Sequence, residues 1–376
     1  MVTFLPSARL AARKVPLDPF LAAAARLRPD PNRWSPPFEP DKPPVPYRTG
    51  FRFSARRVDP PPPFLGQYHR VPTAAFNDFI ENTRSPSRAE LREMKLVDYC
   101  SSVALHPLPC QDRGETAALQ VTGELTVGDG CKRGHGPQVV TCSREGHAEP
   151  LVAKIYDPLY YPFADHDFPY VPNNVVVRAE QGFALESAAY SHLDDTFGGN
   201  LIPKFHGPWI VNVPLKDLER PFGLVLMEHI DGVPLSELDP RLSTKEERLR
   251  VMARALEAMV KFKFAGVLHD DLAPPNMICS NTNLSADDLR VRIVDFDFVS
   301  ILPILGIDPP CKSQALPVSP LKRFWQDRPY EMQNWVPDGW RIRDWNQWLR
   351  DTWAGSSEFM PVREDELKDY DWEGLP

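Results

Sequence analysis

Residues 119–127, 138–143 and 151–156 form short strand-like runs, in the first of which hydrophobic and polar residues alternate, and glycine-rich or polar turns separate the three stretches. Such alternation puts successive side chains on opposite faces of an extended strand, so the stretches predict an antiparallel meander. The period then changes. Residues 175–193 fit a helix, and residues 209–213 and 223–227 read as two further strands. Leu249, Met252, Ala253, Leu256, Met259 and Val260 recur at helical spacing behind Ser243 and Glu246, which are spaced as a capping box. Ile342, Trp345, Trp348, Leu349 and Trp353 repeat the helical period near the end. Strands precede helices, which predicts an α+β protein with a β-rich part joined to an α-rich part.

The first 95 residues lack any such period. They hold 17 of the 42 prolines, four of them consecutive at Pro60 to Pro63, and read as an extended or disordered segment. A Pro-rich stretch can also dock on an aromatic groove of a partner. The same residues carry 16 Lys and Arg against 9 Asp and Glu, so the overall −8 conceals a basic start and a remainder of −15. That acidic body argues against nucleic acid as a partner. No apolar run approaches the roughly 20 residues that span a bilayer, so no membrane role is expected. The six cysteines form no C-x-x-C pair and no zinc-spaced cluster, which predicts reduced thiols in a cytoplasmic protein, with a nuclear location open. The Arg- and Ala-rich residues 7–28 faintly resemble a mitochondrial transit peptide, but Pro16 and Pro19 interrupt any amphipathic helix. Six of the nine tryptophans fall between Trp325 and Trp353, a distribution that suits core packing before a substrate platform.

The chemistry concentrates after the long helix. His269, Asp270, Asp271, Leu272 and Asn276 precede two short apolar runs, 277–280 and 291–294, and the second run ends on Asp295, Phe296 and Asp297. If the runs pair antiparallel, Asn276 at the start of one and Asp295 at the end of the other meet at one edge. An amide and a carboxylate there offer oxygen ligands to a hard cation such as Mg²⁺. Asp271, five residues before Asn276, is within range to accept a proton from an attacking hydroxyl.

His-x-Asp-Leu-x-x-x-Asn followed by Asp-Phe-x resembles the catalytic loop and metal-binding motif of the protein kinase superfamily. Leu151-Val152-Ala153-Lys154-Ile155-Tyr156 is similar to the family's Val-Ala-Ile-Lys strand, whose lysine contacts phosphates. The resemblance implies a bilobal protein-kinase-like fold: a small antiparallel β-rich N-lobe with one main helix over 96–228, and a reduced α-helical C-lobe over 229–355. The segment 1–95 would precede it and an acidic tail, 356–376, would follow. It implies ATP and Mg²⁺ as cofactors, with Asp271 positioning the acceptor, Asn276 and Asp295 holding the metal, and Lys154 paired with a helical glutamate. Glu186 is the first candidate for that glutamate and Glu180 the second. Gly128, Gly130, Gly134 and Gly136 form a segment one residue longer than the family's Gly-x-Gly-x-x-Gly, which reads as a phosphate-binding loop or a surface turn. Val152 would border the adenine pocket, and Glu228 matches the connector whose backbone holds the base.

The likeness covers residues 119–304 and has gaps. Asp270 replaces the arginine that serves activation-loop phosphorylation, Asp297 replaces a glycine, and no Ala-Pro-Glu follows. Only 79 residues remain after Asp297. In these respects the chain is similar to aminoglycoside and choline kinases, and residues 151–161, Leu-Val-Ala-Lys-Ile-Tyr-Asp-Pro-Leu-Tyr-Tyr, resemble the divergent kinase-like proteins of filamentous fungi. The implied activity is transfer of the γ-phosphoryl group to a protein or small-molecule hydroxyl, the alternative being an inactive pseudokinase scaffold. Asp165, His166 and Asp167 suggest a metal site on composition, although a solvated loop suits them better.

Overall fold

Alternating burial builds the first half of the molecule. In β2 (Gln111–Thr126) the inward positions are Ala117, Leu119 and Val121, and in β3 (Gln138–Arg144) they are Gln138, Val140 and Cys142. β4 (Leu151–Tyr156) is buried along its whole length, because a helix covers the face that would otherwise meet water. With β5 (Phe205–Leu215), β6 (Leu218–Glu228) and β1 (Arg52–Asp59) these strands close an antiparallel barrel in the order β1-β2-β3-β4-β6-β5. The computed structural model describes residues 34–130, 136–165, 168–215, 217–280, 284 and 289–367.

β1 corrects the expectation that residues 1–95 are extended or disordered and that the folded part starts at 96. It pairs with β2 on one side and β5 on the other, so it completes the closure. Three of its eight residues are arginines and only Ala55 and Val58 are buried, which hid it from a search for apolar alternation. Its backbone groups are paired on both edges, and that satisfaction compensates for a weak side-chain pattern. Helices α1 (Ala74–Arg84), α2 (Arg88–Glu93) and α3 (Leu96–Ala104) follow, the last packing on β6.

α4 (Val175–Phe197) starts at Asn174, whose side-chain oxygen accepts from Val177 N at 3.0 Å and from the Tyr99 hydroxyl at 2.9 Å. The N-terminal segment thus fixes the start of the helix that carries Glu186. Gly223 on β6 allows the approach of α4 to the barrel, since a Cβ there would lie 2.2 Å from the Phe183 ring. Beneath the barrel Asp157 is fully buried and accepts from Tyr47 Oη at 2.6 Å, Arg220 Nε at 3.0 Å and Arg220 Nη2 at 2.5 Å.

The second half is mainly helical. α5 (Lys245–Ala265) buries Met252, Leu256 and Val260 as expected, but its capping box is Thr244 with Glu247, one residue later than the pair read from the sequence. Ser243 closes the preceding 3₁₀ turn, Pro240–Leu242, by donating its N–H to Pro240 O, so Thr244 becomes the cap. β8 (Val267–His269) pairs with β11 (Val299–Ile301), and β9 (Met277–Cys279) lies between β7 (Val233–Pro234) and β10 (Val291–Ile293). α6 (Pro320–Arg323) and α7 (Ile342–Trp353) complete the chain's packing. Trp335, Trp345 and Trp353 are buried there, with Trp345 Nε1 donating to Phe324 O at 2.9 Å, so these rings serve the core. No described helix is long and apolar enough to cross a membrane.

Candidate functional site

Lys154 lies at the centre of β4 and is 5% exposed. Its ammonium donates to Glu186 Oε2 at 2.5 Å and Asp295 Oδ1 at 2.8 Å, and it lies 3.2 Å from Asp297 Oδ2. Burial alone would lower the lysine pKa, but Asp295, Asp297 and Glu186 together outweigh it and hold the pKa well above the ordinary value. The charged form of the amine is therefore favoured. Glu186 is fully buried in mid-α4, and the Tyr156 hydroxyl also donates to its Oε2. The structure thus selects Glu186 over Glu180 as the partner of Lys154. Glu180 pairs with Arg84 at 2.5 Å, and burial raises its pKa to about 7 despite that guanidinium.

The second set comes from the loop between β8 and β9. Asn276 Nδ2 donates to Asp271 O at 2.8 Å and to Asp271 Oδ2 at 3.3 Å, which ties the loop to its own aspartate. His269 Nδ1 accepts from Asp271 N at 3.3 Å, and burial pushes its pKa down, so a neutral imidazole supports the loop. β9 and β10 pair as the apolar runs predict, Met277 opposite Ile293, and Val294 N donates to Asn276 O at 2.9 Å. That register brings Asn276 and Asp295 to the same end of the hairpin. Asp295 has φ 68°, in a left-handed region rare for residues other than glycine and concentrated at functional sites.

The carboxylates of Glu186, Asp295 and Asp297 are within 4.8 Å of one another, the one such set of potential metal ligands among the described residues. They do not titrate alike. Asp297 is raised well above an ordinary carboxyl, first by burial and then by its acidic neighbours, whereas Lys154 overcomes the effect of burial at Asp295 and holds it low. Burial thus favours the protonated form at Asp297, and Lys154 favours the ionised form at Asp295. Glu186 Oε1 is buried with no hydrogen-bond partner, an acceptor that suits a donor or a cation in this cluster.

Part of this cluster lines a cleft of about 870 Å³, within the size range of small-molecule sites, and Glu186, Asn276 and His269 are not among its lining. Lys154, Asp271, Asp295 and Asp297 reach it from different elements, joined by Gly136 and Tyr161. Gln67 and Tyr68 from the N-terminal segment form another wall. The Tyr68 hydroxyl donates to Val299 O at 3.0 Å and accepts from Ile301 N at 2.9 Å, anchoring the strand that follows Asp297.

The remaining nucleotide-site expectations fare differently. Gly128 N donates to the side chain of Gln138 at 2.8 Å, and a Cβ at Gly130 (φ 51°) would meet the Tyr161 carbonyl oxygen at 2.5 Å. Gly130 packs on the Tyr160 and Tyr161 backbone, Gly128 is held by Gln138, and neither lines the cleft; Gly134 lies outside the described residues. Gly130→Ala should cost roughly 1–3 kcal/mol in chemical denaturation. Gly136→Ala, with its nearest contact at 3.4 Å, should cost much less. A loss of nucleotide affinity in Gly130→Ala at unchanged stability would instead assign that glycine to phosphate binding. Val152 is buried opposite Met227 and does not line the cleft. Glu228 N donates to Lys204 O at 2.9 Å, and its carboxylate pairs with Arg292 at 2.6 Å, so its N–H is committed to the residue before β5 and its side chain joins β6 to β10. His166 and Asp167 are outside the described residues, and Asp165 pairs with Arg178 at 3.4 Å.

Sequence reasoning missed Tyr156 and Asp297 as members of the cluster. Tyr156 is two residues after Lys154 on one strand and so shares its face, a signal the period of two already contains. Asp297 lies in the irregular segment between β10 and β11, where Asp295 has φ 68°, so no strand period marks it, and the resemblance registers it only as the replacement of a glycine. No protein-family model and no curated protein matches the chain.

Proposed function

We propose that the protein is an ATP-dependent phosphotransferase of bilobal, protein-kinase-like architecture that moves the γ-phosphoryl group to a hydroxyl acceptor. The observation that carries this reading is the Lys154 ammonium, which joins Glu186 on α4 to Asp295 on the facing hairpin, with Asp271 lining the same cleft. The barrel with α4 serves as the smaller lobe and the helical half as a reduced larger one.

An ammonium carries three hydrogens. One stays on Glu186, and those directed at Asp295 and Asp297 can turn to phosphate oxygens. Asn276 uses its amide nitrogen on Asp271, which leaves its oxygen, together with Asp295, to hold Mg²⁺. All are hard oxygen donors, as that ion requires. The ion would neutralise charge on the β- and γ-phosphates. Asp271 accepts the proton of the attacking hydroxyl, held in place by Asn276 and by the neutral His269. Asp270 in the arginine's position argues against control by activation-loop phosphorylation. The acceptor is a protein side chain or a small hydroxylated metabolite.

A second reading, a pseudokinase scaffold that binds nucleotide or a partner without turnover, is favoured by the commitment of Gly128, Gly130 and Val152 to packing. Thermal unfolding tests the reading common to both. A ligand at about a hundredfold its Kd adds roughly 2.7 kcal/mol of stability, so MgATP should raise the midpoint of the wild type. Lys154→Ala should lose most of that increment relative to its own ligand-free midpoint. No response to any nucleotide, with or without a divalent cation, would remove both readings.

A further inference from the structure

α4 has two functional faces. Arg178, Gln181, Gly182 and Leu185 line the cleft, whereas Val176, Glu180 and Phe183, on the opposite side at 100° per residue, line a separate cavity of about 270 Å³. α3, the loop that follows it and the inner ends of β5 and β6 form the other walls. Most of this lining is apolar, with Val103, Val176, Phe183, Ile210 and Phe222 among it.

Arg56, Glu180 and Arg220 are the charged members of the lining, and of these Arg220 points to a ligand. It is 2% exposed and lines the cavity; Asp157 occupies its Nε and Nη2, and its Nη1 has no hydrogen-bond partner. A buried guanidinium nitrogen left unpaired forfeits the hydrogen bond it had in water, so an acceptor in the cavity would be favoured there. Volume sets the size of what brings it. An apolar cavity of about 150 Å³ accommodates benzene, so the volume here admits one ring together with a short acid chain.

We propose that this cavity is a second ligand site, for a small monocarboxylic acid with one aromatic ring or a hydrocarbon body of that size. The carboxylate accepts from Arg220 Nη1, and the body lies among Val176, Phe183 and Phe222. Glu180, whose charge would repel the acid, is held by Arg84 and kept partly protonated near neutral pH by its burial. The site reaches the cleft through two rings. Phe183 is 5.9 Å from Tyr156 between centroids, and Tyr156 also borders the cavity while its hydroxyl holds Glu186. Occupancy therefore bears on the placement of the Lys154 partner, and by linkage a ligand of the cleft would alter affinity here by the same factor.

The full-length chain without nucleotide is the sample for the test, so the outcome is independent of whether the cleft takes ATP. Titration with 3-phenylpropionate, followed by calorimetry and by amide resonances, should show saturable binding with shifts along α4 from Val176 to Phe183. The uncharged 3-phenylpropan-1-ol should bind about tenfold more weakly, which is 1.4 kcal/mol. Ala104→Phe, which fills the cavity from the end of α3 without touching the Asp157 pair, should weaken the acid at least as much. Arg220→Lys should do so as well, and Ala104→Phe keeps the test decisive if that variant does not fold. Absence of saturable binding, equal affinity for acid and alcohol, or shifts confined to the cleft around Lys154 and Asp271 would overturn the proposal.

Discussion

Asp271→Asn should retain MgATP binding and lose phosphoryl transfer by roughly 10²–10⁴-fold, the usual contribution of a positioned general base. The substitution is nearly isosteric and preserves the backbone carbonyl that Asn276 Nδ2 holds at 2.8 Å, so the loop geometry survives. Only the proton acceptor disappears. Asp295→Asn has a different consequence, because that carboxylate contacts Lys154 at 2.8 Å and is assigned to the metal. It should weaken MgATP and transfer together, whereas Asp271→Asn should lower kcat with little change in nucleotide affinity. Titration of MgATP into each variant, alongside steady-state rates, separates the two. Equal losses of binding in both variants would contradict the division of roles.

The largest expected stability loss lies away from the cleft. Asp157→Ala removes the acceptor of Tyr47, of the Leu159 N–H and of two nitrogens of Arg220, leaving a buried guanidinium without its counter-ion. Breaking one partner of a buried pair costs about 3–5 kcal/mol, mostly as the penalty of the stranded charge. Urea denaturation should show that loss, and the double variant Asp157→Ala, Arg220→Met should recover a large part of it because no charge is left behind. A single variant within about 1 kcal/mol of the wild type would mean that water reaches Arg220 readily.

The strands and helices with a strong period were legible in the sequence, and so was the group Lys154, Glu186, Asp271, Asn276 and Asp295. Their legibility has a physical basis. β2 and β3 bury one face and expose the other, which writes a period of two into the chain, and α5 buries a stripe. β1 left no such mark because its stability comes from hydrogen bonds on both edges, which any sequence supplies. Pairs distant along the chain were equally silent. Asp157 and Arg220 are 63 residues apart, and Tyr68 meets Val299 across 231, so nothing local announces either contact. The glycines misled for a related reason. A glycine records that something approaches the backbone closely, and at Gly130 that neighbour is Tyr161.

Incubation of the purified wild type and Asp271→Asn with γ-labelled ATP and Mg²⁺, in the presence of protein and metabolite extracts, separates phosphoryl transfer from nucleotide binding alone. Label should appear by mass spectrometry on a hydroxyl of this protein, of another protein or of a metabolite with the wild type, and fall to background with Asp271→Asn. Equal label with the two proteins, despite measurable MgATP binding by both, would contradict phosphoryl transfer and leave the scaffold reading.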